Sequence, residues 1–131
     1  MQVLLDTHAF LWFIQNDPHL SAVARDSIED EATDVFLSAA SLWEMAIKHS
    51  IGKLNLINVT DSFSSHVHHQ LLVNEIEILD ISTTHVLGVA SLPMLHHDPF
   101  DRLLVVQSHL ERIPIISFDA LLDDYGVERI W

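Results

Sequence analysis

The chain of 131 residues contains no cysteine, few basic residues and no long apolar run. The absence of cysteine excludes disulfide bonds and thiolate metal sites, and nothing in the composition indicates secretion. The apolar beginning, residues 1–5, is too short for a signal peptide and lacks its basic flank. No apolar run approaches the length that crosses a membrane. We therefore expect a cytoplasmic protein without membrane contact, built as a single domain over residues 1–131.

Basic side chains are scarce, since six lysines and arginines stand against 19 acidic residues, for a formal net charge of −13 with histidine neutral. The six cations are scattered and form no run. Proteins that bind nucleic acid through its phosphates use lysine and arginine, so a polyanionic substrate would need divalent cations or a second subunit to supply positive potential. Histidine adds positive charge only as the pH falls below about 6.5.

Short apolar runs alternate with segments of helical periodicity along the whole chain. The predicted strands cover residues 3–5, 35–38, 75–79, 114–117 and, less strongly patterned, 127–131. The predicted helices cover residues 8–15, 21–31, 41–50, 60–73, 82–90, 99–110 and 119–126. This alternation predicts a three-layer α/β/α domain with a mainly parallel sheet of four to five strands, with the acidic strand 75–79 at an edge. The carboxyl ends of such strands meet at one edge, where ligands bind.

The stretch 97–107 (HDPFDRLLVVQ) marks the beginning of a buried helix. Asp98 has the position of the N-cap, Pro99 the first helical position, and Asp101 the third. Two acids in this arrangement are common in ordinary capping, because both are favourable at a helix N-terminus. Taken alone, the stretch favours capping over chemistry.

Three further acids occupy comparable positions elsewhere in the chain. Asp6 follows the first strand, Asp119 follows the fourth, and Glu44 lies in the first turn of helix 41–50. Each has a local explanation, because Asp6 and Asp119 could cap helices and Ser41 with Glu44 fits a capping box. If the first and fourth strands are neighbours, however, these acids converge on the pair Asp98 and Asp101.

A converging set of carboxylates needs compensation by a cation or a proton, because like charges repel. Oxygen ligands in a chain without cysteine favour a hard ion such as Mg²⁺ or Mn²⁺. The sequence therefore favours a metal site at this sheet edge over five unrelated helix caps.

Four motifs together resemble the PIN-domain ribonucleases, and closely the toxin subunits of VapBC toxin–antitoxin pairs. They are residues 4–12 (LLDTHAFLW), 41–48 (SLWEMAIK), 97–104 (HDPFDRLL) and 116–119 (ISFD), and the similarity extends to the closing residues 130–131. The resemblance implies a PIN-like fold and a Mg²⁺-dependent endoribonuclease, with Mn²⁺ as the other possible ion. It also implies an RNA substrate, a homodimer, and inhibition by a separately encoded VapB-type antitoxin.

The resemblance maps the family's acidic site onto Asp6, Glu44, Asp101 and Asp119, with Asp98 as an additional acid. It implies a metal bound by the four aspartates, among which helix register favours Asp101 over Asp98 as a direct ligand. Glu44 would hold the attacking water or act as the base. At the position of His8 many relatives have Asn or Ser, so His8 could replace a polar contact to the site.

Several other residues leave two interpretations open. Thr7 and Ser117 could hydrogen-bond metal-bound waters, although local capping is favoured for both. Arg102 could reach a phosphate, or be solvated or paired with a carboxylate. The histidine clusters at residues 66–69 and 96–97 lack a third ligand at suitable spacing and do not predict a metal site. The aromatic residues Trp12, Phe13 and Trp43 could stack on bases, but their aliphatic neighbours favour burial.

Three other functions compete with the nuclease. A phosphatase with an aspartyl nucleophile would need a second Asp two residues after Asp6, where this chain has His8. A receiver-type signalling module would need a lysine after a late strand, and no lysine follows Lys53. A PIN-like domain that only binds a partner remains open, although the presence of all five acids argues against it.

Overall fold

The computed structural model describes all residues, Met1–Trp131, and contains one five-stranded sheet. The strands are β1 (Gln2–Leu5), β2 (Asp34–Ser38), β3 (Ile76–Leu79), β4 (Ile115–Ile116) and β5 (Arg129–Ile130). All neighbouring strands are parallel, in the order β3-β2-β1-β4-β5. The predicted parallel sheet is therefore confirmed, as are the edge position of β3 and the pairing of the first strand with the fourth.

Six α-helices and two 3₁₀ helices connect the strands. The α-helices are α1 (Thr7–Ile14), α2 (Ala22–Glu29), α3 (Ala39–Ser50), α4 (Phe63–Val73), α5 (Thr83–Gly88) and α6 (Pro99–Glu111). The 3₁₀ helices are Val89–Ser91 and Ala120–Tyr125, the second of which replaces the short helix predicted over 119–126. None of the helices is both long and apolar enough to span a membrane.

The sheet separates two apolar layers, as its alternating side chains require. On β1, Val3 and Leu5 belong to a core cluster that includes Phe10 and Met45, whereas Leu4 belongs to a second cluster with Leu104. All three β1 side chains are fully buried. The predicted three-layer α/β/α architecture is confirmed, and the central strand β1 delivers the residue after it, Asp6, to the middle of the sheet edge.

The helix caps agree with the sequence at three positions and differ at two. Asp6, Asp98 and Asp119 cap their helices, as their positions in the sequence allowed. The predicted cap at Thr7 is wrong, because α1 begins one residue earlier and the Asp6 side chain accepts the hydrogen bond from the Ala9 amide.

The predicted capping box between Ser41 and Glu44 is also wrong. Strand β2 leads directly into α3, and the hydroxyl of Ser38, the last residue of the strand, caps the helix by accepting from the Ala40 amide. Ser41 and Glu44 therefore lie inside the helix, where both side chains are buried. The Glu44 carboxylate is free to bond with other elements.

Candidate active site

The pairing of β1 with β4 brings the carboxyl ends of these two strands together. Leu5 lies opposite Ile116, and the Asp6 amide donates to the Ile116 carbonyl at 3.1 Å. Asp6 is buried, and one of its oxygens, Oδ1, accepts from the Ala9 amide at 2.7 Å. Asp119 begins the 3₁₀ helix that follows β4, three residues beyond Ile116.

Burial raises the pKa of Asp6 above its usual value of 3.8, and the negative charge of Glu44 acts in the same direction. Hydrogen bonds from the Ser117 side chain and the Ala9 amide oppose this shift, because they favour the ionised carboxylate. Ser117 is fully buried, and its hydroxyl also accepts from the Asp119 amide at 3.0 Å. Ser117 thus makes the local bond predicted for it and also links the two aspartates.

Glu44 reaches the same region from α3. The Thr7 hydroxyl donates to Glu44 Oε1 at 2.6 Å, and Lys48 Nζ lies 2.9 Å from Oε2. Thr7 therefore holds a carboxylate rather than capping a helix. Lys48 was not among the predicted site residues, although its spacing of four residues from Glu44 is that of an ion pair on one helix face. These two contacts fix both oxygens of the buried carboxylate.

Asp98 and Asp101 have different surroundings at the beginning of α6. Asp98 Oδ1 accepts from the amides of Phe100 and Asp101 at 2.8 and 3.2 Å, which confirms its role as a cap. Asp101 carries no such bond and is partly buried. Desolvation, followed by the charges of Asp98, Asp6 and Glu44, raises the pKa of Asp101 to about 7. Acids from three helices therefore contribute to the raised pKa of Asp101.

His96, which the sequence did not favour as a metal ligand, lies among these acids and is a functional candidate. Its Nε2 atom lies 2.8 Å from Asp119 Oδ2 and 3.3 Å from Asp101 Oδ2. Its Nδ1 atom accepts from the Asp98 amide at 3.1 Å, so the neutral ring carries its proton on Nε2 and donates toward the two carboxylates. The only sequence signal for this contact is a histidine two residues before the cap of α6.

A divalent cation fits the donor atoms of this site. His96, Asp101 and Asp119 offer potential ligand atoms that all lie within 4.8 Å of one another. Carboxylate oxygens from Asp101 and Asp119, with Asp6 and Glu44 beside them, suit a hard ion. Burial and the neighbouring negative charges raise the pKa of Asp101. With Nδ1 bonded to an amide, His96 presents a hydrogen to this region and acts as a donor to the carboxylates.

Both interpretations of Arg102 are wrong. The side chain is buried, and its Nη1 atom donates to the Pro93 carbonyl at 2.9 Å and to the Tyr125 hydroxyl at 3.0 Å. Longer bonds from Nη2 reach the carbonyls of Val89 and Leu92. The guanidinium is thus occupied by the carbonyls of residues 89–93 and by Tyr125, and Arg102 reaches neither a phosphate nor a carboxylate.

The three aromatic residues divide between core and surface. Trp12 and Phe13 are partly buried against the first core cluster, as predicted. Trp43 is 60 % exposed and contacts the edge of Phe100 with ring centroids 5.2 Å apart, so its predicted burial is wrong. The buried face of α3 consists of Ala40, Ser41, Glu44 and Met45, and Trp43 lies outside this face.

Comparison with known proteins agrees with this architecture. The PIN domain family model matches residues 3–128. A search of the curated proteins finds no match. Among solved structures, the chain is similar to one in the crystal structure of VapBC2 from Rickettsia felis bound to a DNA fragment from their promoter, with 14% identity, a TM-score of 0.71, and 98% and 97% of the two chains covered.

A second similar structure is that of VapBC-1 from nontypeable Haemophilus influenzae, with 15% identity and a TM-score of 0.64. The alignment covers 98% of this chain and 96% of that one. Since identities this low establish only the shared fold, the assignment rests on the family model, which spans nearly the whole chain. This protein belongs to the PIN domain family.

Proposed function

We propose that this protein is a metal-dependent endoribonuclease, the VapC-type toxin of a toxin–antitoxin pair, which hydrolyses RNA phosphodiester bonds with Mg²⁺ or Mn²⁺. The observation that carries the proposal is the convergence of Asp6, Glu44, Asp98 and Asp119 around Asp101. Burial and the charges of the neighbouring acids raise the pKa of Asp101 to about 7, and a bound cation would compensate these charges. Membership of the PIN domain family supports nuclease activity.

The acids have distinct parts in the proposed reaction. A bound divalent ion would supply Lewis-acid stabilisation of the phosphate and lower the pKa of a water. Asp6 and Asp101 are the primary ligands in the proposal, and Asp119 completes the set with His96 holding its Oδ2 atom. Asp98 is a further proposed ligand, and it would bind with Oδ2, the oxygen that does not cap α6.

Glu44 has the geometry of a water-positioning group or base. Thr7 and Lys48 fix its two oxygens, so the carboxylate keeps one orientation while it accepts a hydrogen bond, or a proton, from the attacking water. Lys48 also places a positive charge beside the Glu44 carboxylate. This buried, doubly held carboxylate is the group on this chain best placed to orient a nucleophile.

The similar structures support the proposal of a protein partner. Both are structures of VapBC assemblies and resemble this chain over nearly its whole length. We therefore propose a VapB-type antitoxin as the inhibitor. A homodimer and a cytoplasmic location belong to the same proposal, as the family resemblance implies.

Cleavage of an RNA panel tests the proposed activity. Total transfer RNA, ribosomal RNA and messenger RNA are incubated with the antitoxin-free protein in Mg²⁺, Mn²⁺ or EDTA, beside the variants Asp101→Asn and Asp26→Asn. Asp26 is an exposed acid on α2 and provides the same charge change away from the cluster. We expect discrete fragments that need metal, persist in Asp26→Asn and disappear in Asp101→Asn. Folded wild-type protein that cleaves none of these RNAs would contradict the proposal.

A further inference from the structure

A cluster of aromatic rings lies beside the carboxylates at the same sheet edge. This aromatic cluster consists of His8, Trp12, His19, Phe118 and Trp131. The Trp12 ring centroid lies 5.6 Å from that of His8, 5.5 Å from that of His19 and 6.2 Å from that of Phe118. Trp131 contacts Trp12 and Phe118 at 5.9 and 5.8 Å. The rings therefore support one another as a continuous surface.

The aromatic cluster and the acids face a shared space. A cavity of about 280 Å³ is lined by Asp6 and Asp119 on one side and by His8, Trp12 and Phe118 on the other. Phe118 is 64 % exposed, although it lies directly between Ser117 and Asp119 in the sequence. A group held in this cavity lies next to two of the proposed metal ligands. Its position is therefore that of a substrate moiety adjoining the reacting phosphate.

The charges of the chain leave little scope for binding RNA through its phosphates. Four of the six cations are already engaged, Lys48 with Glu44, Arg102 with backbone carbonyls, Arg129 with Asp123 at 2.8 Å, and Arg25 with Glu29 at 3.5 Å. The formal net charge of −13 repels a polyanion over most of the surface. Stacking of a base on an aromatic ring needs no positive charge, so the aromatic cluster can bind RNA where few cations are free to do so.

We propose that the aromatic cluster is a binding site for one unpaired nucleobase adjoining the scissile phosphate. The proposal rests on the proposed nuclease function and adds the feature by which the substrate is held. A base within a duplex has both faces stacked on its neighbours, so only an unpaired base presents a face to Phe118. The ring nitrogens of His8, which lines the cavity, can hydrogen-bond the edge of that base.

Binding without cleavage tests the site directly. The Asp101→Asn protein in EDTA is titrated into a fluorescein-labelled single-stranded RNA of mixed sequence, and into the same strand annealed to its complement, with anisotropy as the signal. We expect Phe118→Ala to raise the Kd for the single strand by about 10-fold, and Phe118→Tyr to restore binding. Leu72→Ala removes a side chain that is 78 % exposed on α4 and should leave the Kd unchanged.

Tryptophan fluorescence provides a second measurement at the site. The Trp43→Phe substitution leaves Trp12 and Trp131, both in the aromatic cluster, as the only tryptophans. We expect single-stranded RNA to quench this emission, and Phe118→Ala to shift the quenching midpoint to higher RNA concentration. Equal Kd values for the Phe118→Ala and Leu72→Ala proteins, without quenching, would overturn the proposal. So would loss of antitoxin binding in Phe118→Ala with RNA binding intact, because the cluster would then be a protein interface.

The two proposals can fail separately. The wild-type protein could cleave no RNA while RNA still quenches its fluorescence and Phe118→Ala weakens RNA binding. This result would contradict the nuclease function and support the base-binding site. Metal-dependent cleavage with the same KM in the wild-type and Phe118→Ala proteins would keep the nuclease and remove the site.

Discussion

Asp101 has a pKa that depends on its burial and on the charges of the neighbouring acids. Its carboxyl group is partly buried beside three other acids, and its pKa rises to about 7 from the usual value of 3.8. Between these values the folded protein holds a proton that the unfolded chain has released. The free energy of unfolding of the metal-free protein therefore falls as the pH rises from about 4 to about 7, because this group is stabilising only while it is protonated.

Neutralising Asp101 by substitution should remove the free-energy cost of ionising this carboxyl group in the folded protein. In EDTA we expect Asp101→Asn to raise the free energy of unfolding at pH 7.5 by about 1–3 kcal/mol, a range that discounts the full shift for solvent screening. The difference should shrink toward pH 3, where Asp101 is largely protonated in both the folded and the unfolded protein. Urea unfolding at several pH values measures it, with Asp26→Asn as the control. An equal effect at both ends of the range would show that protonation is not the cause.

His96 should be important through the two carboxylates that it contacts. Removing its Nε2 donor in His96→Ala frees Asp119 and Asp101, and partners of this kind typically change metal affinity or activity by about 10- to 100-fold. His96→Gln, which can place an amide donor near the Nε2 position, should recover part of the loss. Mn²⁺ affinity and RNA cleavage are measured together, with the exposed neighbour His97→Ala as the control. Identical values for His96→Ala and His97→Ala would exclude a positioning role.

At the scale of elements, the segment that carries His96 is held by α6 and the final 3₁₀ helix. The Tyr125 hydroxyl accepts from the His96 amide at 2.9 Å and from Arg102 Nη1 at 3.0 Å, and it lies 3.0 Å from the Pro93 carbonyl. These bonds fix an otherwise irregular loop. The position of His96 therefore depends on two side chains outside the acidic cluster.

Tyr125→Phe should loosen this loop. It leaves buried backbone groups without their partner, which costs on the order of 1–3 kcal/mol, and it should lower cleavage because His96 is no longer fixed. Urea unfolding and single-turnover cleavage measure the two effects. Ser50→Ala removes a hydroxyl at the exposed end of α3 and should stay within about 0.5 kcal/mol of wild type. A Tyr125→Phe protein with unchanged stability would contradict the role assigned to this hydroxyl.

The contact between α5 and α6 depends on a glycine. A Cβ atom added at Gly88 would lie 2.7 Å from Val106 Cγ1, which is too close for two carbons. Gly88→Ala should therefore destabilise the protein by about 1–3 kcal/mol through overpacking. In the double variant with Val106→Ala, the cost should be less than the sum of the single costs, because the clash is removed. Additive unfolding free energies would show that the helices adjust without strain.

The elements show which parts of the site the sequence could predict. Apolar runs and capping residues located the strands and α6, and the parallel order of β1 and β4 brought Asp6 and Asp119 together. His96 and Arg102 depend instead on the path of the segment 89–98, which has no periodic pattern. On α3 the position of Glu44 in the site was predicted, whereas Trp43 was assigned to the core by its apolar neighbours and lies off the buried face.

At the scale of the whole molecule, the acidic charge separates this protein from nucleic-acid-binding proteins that rely on phosphate contacts. Few cations are free to release counterions from RNA. For the Asp101→Asn protein in EDTA, we expect the logarithm of the RNA association constant to fall with the logarithm of salt concentration with a slope no steeper than about −1.4, the value for two phosphates on a single strand. A much steeper slope would indicate a phosphate-binding surface and weaken the case for stacking.

Metal binding by the acidic cluster is the central claim, and a calorimetric Mn²⁺ titration of the antitoxin-free protein tests it most directly. The wild-type and Asp26→Asn proteins should bind Mn²⁺ with the same affinity, and Mg²⁺ should compete for the site. Asp101→Asn should bind at least about 10-fold more weakly, since it loses both a ligand and its charge. Equal Mn²⁺ affinity in the Asp101→Asn and Asp26→Asn proteins would show that the cluster around Asp101 is not the metal site.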